Sequence, residues 1–156
     1  MNNRAVLLFL LLLVLWIPTS CSAEWKLLES KLHENAYGTK YYYDTKMSYA
    51  DGSSNQNPLV VFWGKTVFDG KGDPDYNKLL SIGCPADTTT VELKYKVDLN
   101  NKKAAVIYGV LYDIQGRILS TDTSKNVEYK PILPGTGAEV VWAMIKELHE
   151  KGAISR

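Results

Sequence analysis

Alternating apolar and polar residues predict that the middle of the chain forms a half-buried antiparallel sheet. Apolar residues occupy every second position from Val91 to Val97, within TVELKYKVDL, and charged residues fill the positions between them. The turn Asn100–Lys102 follows, since asparagine tolerates the positive φ of a tight hairpin, and AAVIYGVLYD returns with apolar residues on both faces. A second turn, IQGR, leads into ILSTD, so the pattern predicts three consecutive strands.

Further strands are predicted upstream of this unit. The segment TKYYYDTKMSYADG alternates, with Tyr41 and Tyr43 on one face and Tyr42 and Asp44 on the other. The polar segment DGSSNQNP predicts a loop, and LVVFWGKTVF is an apolar, β-branched and aromatic run of the kind expected in a central strand. The segment WKLLESKL, which begins at Trp25, fits either an opening strand or a single helical turn.

Near the C-terminus the apolar period changes and predicts an amphipathic helix. Thr136 and Glu139 have capping-box spacing, in which each side chain satisfies a free backbone N–H at the helix start. Gly152 ends the helix at a C′ position, and His149 in the last turn complements the helix dipole. The apolar stripe consists of Ala138, Val141, Ile145 and Leu148, flanked by Trp142 and Met144.

Strands followed by one helix predict an α+β fold. We expect an antiparallel sheet of about six strands, with the C-terminal helix packed across one face. Tyr41 and Tyr43 are predicted to pack beneath this helix. Tyr42 is a candidate contact residue on the opposite face, although a structural role is favoured for each of the three tyrosines.

The N-terminus predicts an export signal at residues 1–23, which leaves one domain at 24–156. A short positive region that contains Arg4 precedes the apolar run Ala5–Ile17, and Pro18 ends that run. The run is too short for a comfortable transmembrane span, which needs about 20 residues. We therefore expect an exported bacterial protein that is located in the periplasm or at the outer cell surface.

Cys21 allows two interpretations of this signal. It is a lipid anchor if the signal is of the lipoprotein type, but that type requires an aliphatic residue at the position of Pro18. Small residues before Glu24 instead favour ordinary cleavage after Ala23, which discards Cys21. We expect the second outcome, with a lipid anchor at Cys21 as the alternative.

Composition restricts the functional class. The chain has 156 residues, enough for one domain, and is 46% hydrophobic and 22% charged with a formal net charge of +1. This balance argues against a nucleic-acid-binding protein and against intrinsic disorder. The aromatic content is high, with ten tyrosines and four tryptophans, and such residues favour strands and cores.

Residues with catalytic or metal-binding chemistry are few. His33 and His149 lack the spacing of a zinc motif. The segment DGKGDPDY contains Asp69, Asp73 and Asp75, but the spacing is not that of an EF-hand, so we interpret it as an acidic surface loop. The glycines of LPGTGAE are explained by the turn before the capped helix. We predict no catalytic residue, no cofactor and no metal site.

Cys84 and the lysines leave alternatives open. Cys84 is the one cysteine of the chain after cleavage at Ala23, and it is either a buried thiol or part of an intermolecular bridge. The lysines of the predicted strands and turns form a solvated face, or a local basic patch that binds anionic partners. These lysines are Lys40, Lys46, Lys65, Lys71, Lys94, Lys96, Lys102 and Lys103.

In combination, these motifs resemble the surface-adhesin protein E-like family of small exported bacterial domains. The resemblance spans essentially all of 24–156, although each motif is short. It rests on a tryptophan near the mature start, a YYD strand, a V-W strand, a mid-chain cysteine and a Y-x-P-I-x-P-G-[ST] segment before the last helix. The positions that match are Trp25, Tyr42, Tyr43, Asp44, Val61, Trp63, Cys84, Tyr129, Pro131, Ile132, Pro134, Gly135 and Thr136.

The resemblance implies a six-stranded antiparallel sheet with a C-terminal helix, and adhesion to host extracellular proteins. Family members often carry a second cysteine in the final helix, but this chain has none from Ala143 to Arg156, so the disulfide that the resemblance implies within the monomer has no partner for Cys84. A shared fold does not carry a binding activity with it, and no contact residue is transferred from the family.

The sequence as a whole predicts a non-enzymatic binding module that presents a sheet face and loops to a protein partner, either host extracellular matrix or an envelope component. The alternative is a soluble periplasmic housekeeping protein with no role in host adhesion. A small hydrolase has little support. We expect no nucleic-acid partner, and membrane association only if Cys21 is lipidated.

Overall fold

The computed structural model describes residues 23–28, 38–70, 72–124 and 126–155, so Cys21, His33 and the predicted export signal before Ala23 lie outside the described residues. Neither helix of the described part is long and apolar enough to cross a membrane. The elements are β1 (Trp25–Leu27), β2 (Lys40–Asp44), β3 (Ser48–Tyr49), β4 (Leu59–Val67), α1 (Pro74–Ser81), β5 (Thr90–Asp98), β6 (Lys103–Tyr112), β7 (Ile118–Thr123), β8 (Lys130–Pro131) and α2 (Gly137–Glu150).

The strands form one antiparallel sheet in the order β1-β2-β4-β5-β6-β7, with β3 paired to β4 and β8 paired to β6. The predicted unit of three consecutive strands is confirmed as β5, β6 and β7. The α+β class is also confirmed, but the sheet has eight strands where about six were expected. One cause is Asp44, whose carboxylate accepts the Lys46 N–H at 3.0 Å and ends β2 before β3 begins.

The turn between β5 and β6 differs from the prediction. The residue with positive φ is Lys102 (φ 50°) and not an asparagine. Asp98 holds the turn, because its carboxylate accepts hydrogen bonds from the Asn101 N–H at 2.9 Å and from its side-chain amide at 2.8 Å. The Lys102 ammonium then bonds the Glu139 carboxylate and lies 4.9 Å from the centre of the Trp142 ring. These contacts attach the hairpin to α2.

The core lies between the sheet and α2. Ile145 of α2 and Val60 of β4 are both 0% exposed, and Tyr43 and Phe62 are buried with them. The apolar stripe of α2 was predicted with one error, since Ala138 at its first position is exposed. The rest of the buried cluster is Met47, Val97, Leu99, Ile132 and Ile154.

The predicted ends of α2 are confirmed. Thr136 is the N-cap, and its hydroxyl accepts the Glu139 N–H at 3.3 Å. The Glu139 carboxylate reaches back to the Gly135 N–H at 2.8 Å, one residue before the position of an ideal capping box. Gly152 has φ 64° and follows the C-cap, because a left-handed residue ends a helix with least strain when it is glycine.

The segment that was predicted to be an acidic surface loop includes the start of α1. Asp73 is its buried N-cap, and the Asp73 carboxylate accepts the Asp75 N–H at 2.7 Å. Pro74 occupies the first turn, where its missing N–H costs nothing. The hydroxyl of the buried Tyr76 donates to the Ala86 carbonyl at 2.6 Å, which ties α1 to the chain that enters β5.

Candidate functional site

The outer face of the sheet, which we define as the side opposite α2, carries aromatic and charged side chains in contact with one another. Successive residues of a strand point to opposite sides, so Val60 and Phe62, which pack beneath α2, place Trp63 and Lys65 on the outer face. The strand register then assigns the neighbouring residues to the same face. The contacting residues are Trp25, Trp63, Lys65, Glu92, Lys94, Tyr108 and Tyr112.

One row of these contacts crosses β4, β5 and β6. Trp63 lies opposite Lys94, and Lys94 lies opposite Tyr108. The Lys94 ammonium is 5.8 Å from the centre of the Trp63 ring, within the range of a cation–π interaction. The rings of Trp63 and Tyr108 meet edge to face at 5.8 Å. The row therefore holds an ammonium group over a fixed aromatic surface.

A second row runs beside the first from β1 to β6. The Lys65 ammonium lies 5.2 Å from the centre of the Trp25 ring and 3.2 Å from a carboxylate oxygen of Glu92. The Tyr112 hydroxyl donates to the other Glu92 oxygen at 3.2 Å. Burial raises the pKa of the Tyr112 hydroxyl, and the neighbouring Glu92 carboxylate raises it further. Tyr112 thus remains a neutral donor at physiological pH.

The aromatic residues of the outer face are neither buried nor fully exposed. Trp25, Trp63, Tyr108 and Tyr112 are all half-buried. Among the described residues, no helix covers these four in the way that α2 covers the other face. Tryptophan and tyrosine in such a setting are the residue types that most often anchor a protein–protein contact.

A cleft adjoins the outer face at the end of the sheet where α1 lies. Its volume is 710 Å³, and Lys65, Glu92 and Tyr112 border both the cleft and the outer face. Phe68 and Tyr76, whose rings lie 5.5 Å apart, form an apolar wall. The other lining residues include Val67, Asp69, Asp87, Thr88, Thr89, Thr90, Asp113 and Ile114.

Asp113 organises the turn at the rim of the cleft. Its carboxylate accepts hydrogen bonds from the backbone of Gln115 and Arg117 at 2.9 Å, and from the Arg117 Nε at 2.6 Å. Burial alone raises the pKa of Asp113, but the Arg117 hydrogen bonds and charge outweigh it and hold that pKa below its ordinary value. Asp113 is therefore an ionised structural residue.

Thr88 is a further unusual feature of the cleft wall. It is 1% exposed, and its Oγ1 has no hydrogen-bond partner among the described residues. A buried hydroxyl without a partner costs free energy, on the order of 1–3 kcal/mol. The buried Thr88 hydroxyl therefore lowers the stability of the cleft wall.

The motif residues taken from the family resemblance separate in space. Trp25 and Trp63 lie on the outer face, whereas Tyr43 is part of the core beneath α2. Asp44 is buried, and its carboxylate accepts the backbone N–H groups of Glu24 and Lys46 at 3.0 Å. Of these four motif residues, Trp25 and Trp63 belong to the candidate site, whereas Tyr43 and Asp44 support the fold.

The proline-containing motif forms the approach to α2. Pro131 lies in β8, Pro134 and Gly135 form the turn before the helix, and Thr136 is the helix N-cap. Tyr129 is half-buried, and the pKa of its hydroxyl is raised by burial and by the nearby Asp98 carboxylate. None of these five residues contributes to the aromatic rows.

Cys84 lies just beyond α1 as a free, half-buried thiol among the described residues. Burial raises the pKa of this thiol, which lowers the fraction of reactive thiolate at neutral pH. His149 occupies the last turn of α2 as predicted, and its Nδ1 lies 2.7 Å from the Tyr49 hydroxyl. Both residues lie apart from the aromatic rows of the outer face.

The tyrosines and aspartates considered in the sequence have individual structural roles. Tyr41 lines the space beneath α2, and its hydroxyl donates to Asp75 of α1 at 2.8 Å. Tyr42 is half-buried on the outer-face side of β2. Asp73 caps α1, and in the described ranges no group of three histidine, cysteine or acidic side chains is placed to hold a metal ion.

Sequence reasoning predicted the strands of the outer face but not its contacts. Lys65 and Glu92 are cross-strand neighbours, as are Lys94 and Tyr108, and these pairings depend on register. The lysines of β5 were interpreted as a solvated face, with a basic patch that binds anionic partners as the alternative. The one local signal is the alternation of lysine and glutamate with aromatic residues on neighbouring predicted strands.

Comparison with protein-family models, with curated proteins and with solved structures found no significant match for this chain.

Proposed function

We propose that this chain is an exported, non-enzymatic binding module of the surface-adhesin protein E type, which binds a protein partner through the outer face of its sheet. The observation that carries the proposal is the pair of aromatic rows, in which two tryptophans and two tyrosines are held half-exposed on one face. Such aromatic residues supply a large contact area at a small cost in side-chain entropy.

The roles of the titratable side chains support binding rather than catalysis. Asp113 fixes a turn, Glu139 caps α2 and His149 contacts Tyr49, so each has a structural partner. A general base or an activated nucleophile instead requires a second reactive group that orients it next to a substrate. The Cys84 thiol has a raised pKa, which disfavours the thiolate that nucleophilic catalysis needs.

Location and anchoring form a separate part of the proposal. We infer export from the signal-like segment at residues 1–23, with cleavage after Ala23 and loss of Cys21. Intact mass of the protein from its native host tests this, since the expected mass is that of a chain that begins at Glu24. A mass that retains a diacylated Cys21 contradicts it. Display outside the cell is tested by protease treatment of intact cells, in which a surface protein is cleaved and a periplasmic one is protected.

Site-specific photocross-linking tests the use of the outer face. The variant Tyr108→p-benzoylphenylalanine places a cross-linker within the aromatic rows, and Ser81→p-benzoylphenylalanine places the same group on the exposed end of α1. After irradiation of whole cells with host matrix present, we expect one discrete protein adduct at position 108 and none at position 81. Equal labelling at both positions, or no adduct at position 108, contradicts the proposal. The adduct also separates a host protein from an envelope component.

A further inference from the structure

We propose that the outer face recognises an acidic, extended segment of its protein partner, whose carboxylates bind Lys94 and Lys96. This inference rests on the proposed function, because it specifies the chemistry of the partner that the same face binds. It is carried by a separate observation, namely the distribution of charge on the outer face, and it has a separate test.

Lys94 and Lys96 place two positive charges next to each other on the outer face of β5, in a chain whose net charge is only +1. The two acidic residues of β5 on this face are already engaged, since Glu92 pairs with Lys65 and Asp98 holds the hairpin turn. In the described part of the chain, no carboxylate lies within 4.0 Å of the ammonium groups of Lys94 or Lys96. Two like charges on the same side of one strand repel each other, so an anion bound between them relieves that repulsion.

Lys94 is held in place before any partner arrives. Its ammonium lies over the Trp63 ring at 5.8 Å, and Tyr108 holds Trp63 by an edge-to-face contact. A lysine side chain that is free in solution loses rotamer entropy when it is fixed. Because the cation–π contact restricts Lys94 in advance, less of that entropy is lost on binding.

The geometry favours an acidic peptide over an acidic polysaccharide. A sugar ring binds tryptophan by stacking on an open face of the indole, but Lys94 lies over Trp63 and Lys65 lies over Trp25. A carboxylate, in contrast, binds the ammonium groups directly and requires no open indole face. Lys94 and Lys96 are two residues apart on one strand, about 7 Å, which equals the spacing of alternate side chains in an extended segment.

A titration with defined peptides tests this inference on the exported protein. The probe is an acetylated decapeptide of alternating glutamate and valine, and the control peptide has glutamine in place of glutamate. Binding is followed by NMR at the indole N–H of Trp63. We expect the glutamate peptide to bind at least tenfold more tightly than the glutamine peptide, and its affinity to fall with added salt because ion pairs at an exposed face are screened.

Two double variants with the same change in net charge locate the site. Lys94→Gln with Lys96→Gln is expected to weaken binding of the glutamate peptide at least tenfold. Lys26→Gln with Lys78→Gln is the matched control, since both lysines are exposed and lie outside the outer face, and it is expected to change the affinity by less than twofold. Unfolding midpoints of both variants establish that each is folded.

Three results overturn the inference. They are equal weakening by the two double variants, absence of peptide binding, and binding of low-molecular-weight heparin in place of the peptide. Failure of the proposed function gives a different result, because the Tyr108→p-benzoylphenylalanine protein then forms no adduct even with both lysines intact. If that adduct forms and is retained in the Lys94→Gln and Lys96→Gln variant, the binding face stands and only the acidic partner is excluded.

Discussion

Gly64 of β4 shows how one residue sets the packing beneath α2. A Cβ atom at this position meets the Cε2 of Tyr95 at 2.9 Å, which is closer than such atoms normally approach. Tyr95 has little freedom to move, since its ring stacks on Phe62 at 5.3 Å and packs against the buried cluster of the core. Glycine is therefore favoured at position 64, since a larger residue displaces the Tyr95 ring.

The substitution Gly64→Ala is expected to lower the free energy of unfolding by about 1–3 kcal/mol, because it forces the Tyr95 ring out of its packed position. Gly70→Ala is the matched control, since no atom of the described residues lies within 4 Å of a Cβ atom there. Urea denaturation of both variants measures the difference. Equal midpoints for the two variants contradict the steric explanation.

The Lys102–Glu139 contact makes part of the stability depend on pH. The hydrogen bond from Lys102 and that from the Gly135 N–H lower the pKa of Glu139 below its ordinary value. A lowered pKa adds stability above the unfolded-state pKa of about 4.3, and this stability is lost as the pH falls through the folded-state pKa. Glu139 therefore makes the stability depend on pH in the acidic range, and not near neutral pH.

We therefore expect wild type to be more stable than Glu139→Gln at pH 6, and the difference to shrink as the pH falls to 3. Taking the difference between the two proteins removes the effect of the other carboxylates, which titrate in both. Thermal unfolding midpoints across this pH range provide the measurement. A difference that stays constant with pH shows that the Glu139 charge is irrelevant.

Single residues were predicted well where the signal is local. The Thr136 cap and the Gly152 end depend only on residues within one helical turn, and both are confirmed. Lys102 was missed as the left-handed residue of its turn. Its conformation is stabilised by contacts with Glu139 and Trp142, which lie far away in the sequence.

At the level of elements, α2 contributes an apolar stripe to the core that it forms with the sheet. Ile145 of that stripe is 0% exposed. The substitution Ile145→Ala is expected to lower the free energy of unfolding by about 2–5 kcal/mol, since it leaves a cavity in the core. Ile114→Ala, at a site that is 80% exposed, is the control and is expected to stay within about 0.5 kcal/mol of wild type. Similar losses in both variants contradict the assigned core.

Elements with a long pattern of apolar and polar residues were easier to predict than short ones. The strands β5, β6 and β7 and the helix α2 extend over enough residues for their period to be clear. The helix α1 has eight residues and begins with Asp73 and Pro74 after a glycine-rich segment, which also fits a loop. The division of the predicted Tyr41–Tyr49 strand depends on the buried Asp44 carboxylate, and no alternation of residues reveals it.

At the scale of the whole molecule, the fold has one covered face and one outer face. The sequence predicted the aromatic strands and a sheet face that binds, but it did not predict which side chains share that face. Trp25, Lys65 and Glu92 are distant in sequence and meet only through the pairing of four strands. The site is therefore a product of strand register, which short motifs do not encode.

Whether the outer face binds a protein partner is decided by the affinity of the partner recovered at position 108. Titration calorimetry compares wild type with Trp63→Ala, and with Leu133→Ala as a control at an exposed residue outside both the aromatic rows and the cleft. Trp63→Ala is expected to weaken binding at least tenfold, about 1.4 kcal/mol, because a tryptophan anchor is lost while the fold is retained. If a folded Trp63→Ala variant binds the partner with unchanged affinity, the outer face is not the binding site.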